Sequence, residues 1–113
     1  MSLSYEGFEV NALTFKCSSK INDAAPVKFY KQGGVTACDG GDEFHGVVID
    51  SDTQYASVQM RGVVTVNYTG DTPTLGYNIL SANGACGVKV STSGNKYLVL
   101  AVDEELCKVT FLM

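Results

Sequence analysis

The sequence is short of the features that announce most functions. Arginine occurs once, at Arg61, and eight Lys plus Arg face twelve Asp plus Glu for a net charge of −4. Binding through nucleic-acid phosphates needs clustered cations, so that class is disfavoured. No apolar stretch approaches the roughly 20 residues of a membrane helix. The longest clean run is Tyr97 to Val102. Met1 to Glu6 offer neither a basic region nor a hydrophobic one, so no signal peptide is expected. Neither nucleic acid nor a membrane is an expected partner.

Catalytic and metal-binding signatures are equally scarce. His45 is the only histidine, set in Phe44-His45-Gly46-Val47. A Cys–His pair with Cys38 or Cys86 is the one enzyme reading it supports. No nucleophile signature surrounds either cysteine, and no G-x-S-x-G occurs. A lone histidine in a strand reads first as a hydrogen-bonded or solvent-facing residue. Cys17, Cys38, Cys86 and Cys107 lie 21, 48 and 21 positions apart, without the close C-x₂₋₄-C pair of a structural zinc site. A cytosolic setting keeps thiols reduced, so four small buried apolar residues with free thiols are expected, with a disulfide framework or a metal site as the alternative.

The acidic turns, Asp39 with Asp42-Glu43 and Asp50 with Asp52, lack the D-x-[DN]-x-[DN]-G-x₅-E calcium loop. Asp and Gly already suit tight turns for backbone reasons. No glycine stretch leads into Lys-Ser/Thr as a phosphate loop requires. Asn67-Tyr68-Thr69 matches a glycosylation acceptor that is idle without secretion. Tyr5, Phe8, Tyr30, Tyr55 and Tyr77 could form an aromatic patch for sugar or protein contact, but tyrosines in a small β domain are more often core edges. No catalytic, cofactor-binding or metal-binding residue is assigned, and no cofactor is expected.

What the sequence does have is β-forming material. Val outnumbers Leu 14 to 8, and nine Thr and six Tyr accompany them; β-branched and aromatic side chains fit a pleated surface. From Val58 to Tyr68 the even positions are apolar and the odd ones mainly polar, the period of a half-buried strand. Gly62 in its middle predicts a bulge or sharp bend. Cys107 to Met113 alternates likewise, so the chain should end inside a sheet. Tyr97 to Val102 and Phe44 to Ile49 read as covered central strands. Val10 to Lys16, Val27 to Lys31, Val35 to Cys38 and Gly87 to Ser91 are weaker candidates. Turn clusters separate these runs, and no helix-length period lies between them.

The length suits one domain over residues 1–113, in which two independent cores would be cramped. The expected fold is all-β, a small barrel or sandwich of about seven to nine short strands. Residues 1–11 would form an extended arm, and helix is confined to one turn, at Leu75 to Ala82 or Asp103 to Leu106. A faint internal repeat runs through the chain. Val27-Lys28-Phe29-Tyr30, Gly33-Gly34, Gly46 to Asp50 and Val58-Gln59-Met60 are echoed by Tyr77-Asn78-Ile79-Leu80, Gly84, Val99 to Asp103 and Val109-Thr110-Phe111. It would suit a barrel assembled from two similar half-motifs.

One ordered pattern is more specific. Gly46-Val47-Val48-Ile49-Asp50 is followed by Val58 to Val66, then Pro73-Thr74-Leu75-Gly76-Tyr77, and the chain closes on Val109-Thr110-Phe111-Leu112. This order resembles the small capsid cement, or head decoration, proteins of tailed phages and prophages, over about residues 26–113. Ala24-Ala25-Pro26-Val27 and Thr74-Leu75-Gly76-Tyr77 depart from the G-D-P-V found in that family. The resemblance implies a non-enzymatic β-barrel-like protein on the virion surface, made in the bacterial host cytoplasm. Its implied partner is the major capsid protein, and a homo-oligomer is expected, with a trimer as one option. Contacts would be sought in Ser2 to Asn11 and Thr69 to Thr74. A carbohydrate- or protein-binding β module is the alternative, and an enzyme using His45 with a cysteine ranks third.

Overall fold

The alternating run from Val58 to Tyr68 is not one strand. The computed structural model describes residues 11–113 and breaks that run at Gly62, whose φ of 104° lies in the left-handed region that glycine adopts without strain. The strand before it, β5 (Tyr55–Arg61), and the strand after it, β6 (Val63–Tyr68), belong to different sheets. The predicted bend is thus the boundary between two barrels.

Barrel 1 contains β1 (Asn11–Lys16), β2 (Pro26–Lys31), β3 (Gly34–Ala37), β4 (Gly46–Ser51) and β5. Its strands close in the order β1-β3-β2-β4-β5. Barrel 2 contains β6, β7 (Gly76–Ala82), β8 (Gly87–Val90), β9 (Asn95–Asp103) and β10 (Lys108–Leu112), closed as β6-β8-β7-β9-β10. Adding five to each number of the first ring gives the second. In both, the first and third strands are parallel and the remaining pairings are antiparallel.

The correspondence extends to single residues. The parallel contact joins Lys16 to Gly34 in barrel 1 and Asn67 to Gly87 in barrel 2. A bulge skips Ile49 between the β5 partners of Val48 and Asp50, and another skips Leu100 between the β10 partners of Val99 and Ala101. Just beyond each bulge, an aspartate closes the following turn. Asp52 Oδ1 accepts from the N–H groups of Gln54 and Tyr55, and Asp103 Oδ1 from those of Glu105 and Leu106. The Cys17 N–H donates to the Gln54 carbonyl as the Tyr68 N–H donates to that of Cys107. The faint sequence repeat therefore pairs β2 with β7, β4 with β9 and β5 with β10, as two whole barrels in tandem rather than halves of one.

The all-β expectation holds among the described residues. There are ten strands, above the expected seven to nine, and both closures are barrels. The helical option at Leu75 to Ala82 is corrected, because β7 occupies it, held by β8 on one side and β9 on the other. Asp103 to Leu106 is the Asp103 turn, not helix. Phe44 to Ile49 begins its strand only at Gly46. No helix among the described residues is long and apolar enough to cross a membrane. The expected arm lies, apart from Asn11, outside the described residues.

Two core clusters replace the single one expected. Barrel 1 buries Cys17, Ile21, Ala25, Val27, Val35, Val48, Ala56 and Val58. Barrel 2 buries Val64, Val66, Tyr68, Leu80, Val88, Val99, Val109 and Phe111, and to these the first half of the chain adds Phe44 and Val47. Short strands curled into five-membered rings need few side chains to fill them, which is how one chain of this length holds two cores. The cores are not independent. Phe44 stacks on Tyr97 at 5.1 Å and meets Phe111 edge-on at 6.1 Å. Beside it, Gly41 N–H donates to the Ala82 carbonyl, Ala82 N–H to that of Asp42, and Asn95 Nδ2 to Glu43 Oε1.

Candidate functional site

His45 stands between β3 and β4, next to the upper half of β2. Its Nδ1 accepts the Phe29 N–H at 3.1 Å, and its ring stacks on Phe29 at 5.2 Å. Phe15 meets Phe29 edge-on at 5.1 Å. The strand ladder explains this use. β2 pairs with β4 only at Pro26 and Val27, so the Phe29 N–H needs another acceptor, and the imidazole supplies one. Neither Cys38 nor Cys86 is hydrogen-bonded to His45.

The four cysteines are free thiols. Cys17 is buried, and burial, with the Asp52 charge second, pushes its thiol up from the ordinary range. Cys38 is half-buried and pushed up to about 11, chiefly by desolvation. A thiol shifted that way holds little thiolate at neutral pH. Burial of all four is corrected: Cys86 and Cys107 are exposed, both in turns at positive φ, and the Cys86 sulfur accepts from Asn22 Nδ2 at 3.1 Å.

The acidic turns have backbone work. Asp42 accepts from Lys28 Nζ at 2.6 Å and from the Asp39 N–H at 2.9 Å, and these bonds, Lys28 first, hold its carboxyl below the usual range. Asp52 is lowered by the Gln54 and Tyr55 N–H groups. Among the described residues no three His, Cys, Asp or Glu side chains converge as a metal site would require. Tyr30 and Tyr55 are exposed on barrel 1 and Tyr77 on barrel 2. The ring contacts formed are Phe15–Phe29–His45 and Phe44–Tyr97–Phe111 instead. Tyr5 and Phe8 lie outside the described residues.

A groove of about 750 Å³ lies on barrel 2. Among the described residues, its lining joins Thr72, Pro73 and Leu75 of the β6–β7 connector to Ala101, Val102 and Asp103 of β9, Glu104 and Glu105 of the turn after it, and Lys108 of β10. Thr65 and Thr110, joined hydroxyl to hydroxyl at 2.8 Å across β6 and β10, belong to its lining. It offers apolar side chains mixed with carboxylates and the Lys108 ammonium, a surface suited to contact. Sequence reasoning flagged Thr69 to Thr74 but not the rest, since the lining is gathered from three strands and two connectors. The one local signal is Leu75, an apolar residue inside a polar turn and 71% exposed.

No family model matches the sequence, and no curated protein matches it.

Proposed function

We propose that this chain is a structural protein that binds the outside of an assembled capsid shell, as its resemblance to phage and prophage cement proteins implies. The segments carrying that resemblance fall on β4, on β5 and β6 across Gly62, at the entry to β7, and on β10. The observation that supports a surface-binding role is the distribution of exposed apolar side chains. Among the described residues the three most exposed, Tyr77 at 73%, Leu75 at 71% and Leu106 at 64%, all lie on barrel 2, in or beside its connectors. Exposed apolar residues at loop ends gain free energy when a partner covers them.

The mode of contact differs from edge pairing. Closed barrels leave few unpaired strand edges, so a shell contact would run through connectors and side chains rather than by adding a strand. Many copies on a lattice would sum individually weak contacts into stable attachment. The partner would be the major capsid protein, and the site of action the virion surface after assembly in the host cytoplasm.

The test is co-sedimentation of the purified protein with capsids of the cognate induced prophage, together with a mass-spectrometric search of the virions. Recovery at many copies per particle is expected. Its absence from purified particles would remove the reading.

A further inference from the structure

The seam between the barrels joins two unlike surfaces, and each has a counterpart that the chain leaves uncovered. On barrel 1 the covering surface is an outward row. Val47, next to Val48 of its own barrel's core, joins the core of barrel 2 instead. Its ladder partners are Pro26, which is buried, and Gln59, whose Nε2 donates to the Val63 carbonyl at the start of β6. Two positions before Pro26, Ala24 also packs against the core of barrel 2.

The bulge register puts Leu98 of barrel 2 where barrel 1 has Val47. Its ladder partners are Tyr77 and Leu112, and two positions before Tyr77 stands Leu75. This row is apolar throughout, and it is open. Leu98 is half-buried, Leu112 is 39% exposed, and Tyr77 and Leu75 are almost bare. The covered surface shows the same asymmetry. On barrel 2, Phe44 meets Phe111, whose β6 partner Val64 is 4% exposed. The matching pair on barrel 1 is Val58 with Leu13, and Leu13 is 55% exposed. Leu13 shares its face of β1 with Phe15, which meets the exposed Phe29 edge-on. Among the described residues no barrel precedes this end to cover it.

We propose that the chain associates with copies of itself head to tail. The row of Leu75, Tyr77, Leu98 and Leu112 on one copy covers the end of barrel 1 that carries Leu13 and Phe29 on the next. The seam within the chain selects this occupant, because there a row at the matching ladder positions already covers the matching end. The β8–β9 connector, residues 91–94, holds no counterpart of Phe44, and Tyr77 brings an aromatic ring in its place. Covering both apolar surfaces at once supplies the driving force. A contact between unlike patches repeats from copy to copy, closing into a ring where its rotation allows and otherwise running on. Net charge −4 on each copy opposes the contact, so added salt should tighten it. The inference stands or falls on the purified chain alone, whether or not virions carry the protein.

The experiment is sedimentation velocity of the full chain over a concentration series. A mass above that of one chain, rising with concentration, is expected. Leu13→Glu and Tyr77→Glu, both at exposed positions, should each weaken association at least about tenfold by placing a charge in an apolar contact. Mixed together, the two variants should recover a species of two chains and no larger, because one intact row then meets one intact end. Only a contact between unlike patches gives that rescue. Phe29→Glu and Leu112→Glu take their places if far-UV circular dichroism shows a lost strand signal. A monomer at millimolar concentration, variants that associate as the parent does, or variants that fail to rescue each other would overturn the inference. So would a monomeric parent that associates only once residues 1–10 are removed, which gives the Leu13 end to the chain's own leading segment.

Discussion

The two barrels share a strand order, a parallel closure, a bulge and an aspartate turn, yet they fill their interiors by different means. At matched positions barrel 1 has Cys17, Ala56 and Val58 where barrel 2 has Tyr68, Val109 and Phe111. Each step is towards more volume. Barrel 1 completes its smaller set with Ile21 from its own connector, fastened through Ser51. Barrel 2 completes its larger set with Phe44, borrowed from the other barrel. Interiors must reach close packing whatever the source of the side chains. The topology is thus indifferent to which connector supplies the plug.

The largest expected break in this comparison is Phe44→Ala. Emptying a buried phenylalanine site costs about 3–4 kcal/mol, and here the loss falls on barrel 2 although the residue belongs to the first half of the chain. Denaturant unfolding followed by probes in each barrel should change from one transition to two, barrel 2 melting first. A single unshifted transition would mean that Phe44 does not couple them.

The glycines at the parallel closures sharpen the comparison next. A Cβ on Gly87 would run into the Asn67 backbone carbonyl, whereas one on Gly34 would meet Lys31 Cγ at 2.8 Å and the Tyr30 ring at 3.0 Å. Side chains move aside and backbone does not. Gly87→Ala should therefore cost about 2–3 kcal/mol and Gly34→Ala under about 1 kcal/mol, read from the midpoints of urea unfolding.

Ser51→Ala removes the fastening that distinguishes barrel 1. It leaves an N–H and a carbonyl of Ile21 without their partner, at a cost of about 1–2 kcal/mol. Hydrogen exchange should quicken at Ile21 and leave barrel 2 unchanged.

Acid should act on barrel 1 first. Asp42 and Asp52 are both held below the ordinary carboxylate range, Asp42 by Lys28 and Asp52 by turn N–H groups. The unfolded chain therefore binds these protons more readily than the folded one. Their stabilisation is present above the ordinary carboxylate pKa and is lost as pH falls through the lowered values. Asp42→Asn should flatten the acid limb of the stability curve, and an unchanged limb would count against the Lys28 bond. The smallest effect is expected at Ser81, buried on β7 with no partner for its hydroxyl among the described residues. Ser81→Ala should change stability by less than about 0.5 kcal/mol or raise it slightly.

The legible and illegible parts of this chain divide by range. Alternation in β5, β6 and β10 was readable because a period of two is a local property of a strand with one wet face. β7 was harder, since Ile79-Leu80-Ser81-Ala82 is covered on both faces where barrel 1 leans on it, and its period is blurred. The repeat was visible in β2, β4 and β5 against β7, β9 and β10, where core positions recur. It was hidden in the connectors, which differ in length and task. The groove had no signature, because its lining is drawn from positions scattered between Thr65 and Thr110.

By itself the sequence determined that this protein is built of short strands, where most of them run, and that Gly62 must bend the chain. Those outcomes follow from side-chain period and backbone freedom, which act over a few residues. Only the tertiary structure decided that the bend separates two closed rings, that Phe44 serves the second ring, and that Ile21 plugs the first. Such choices rest on which distant residues fill a shared volume, and no local pattern encodes that.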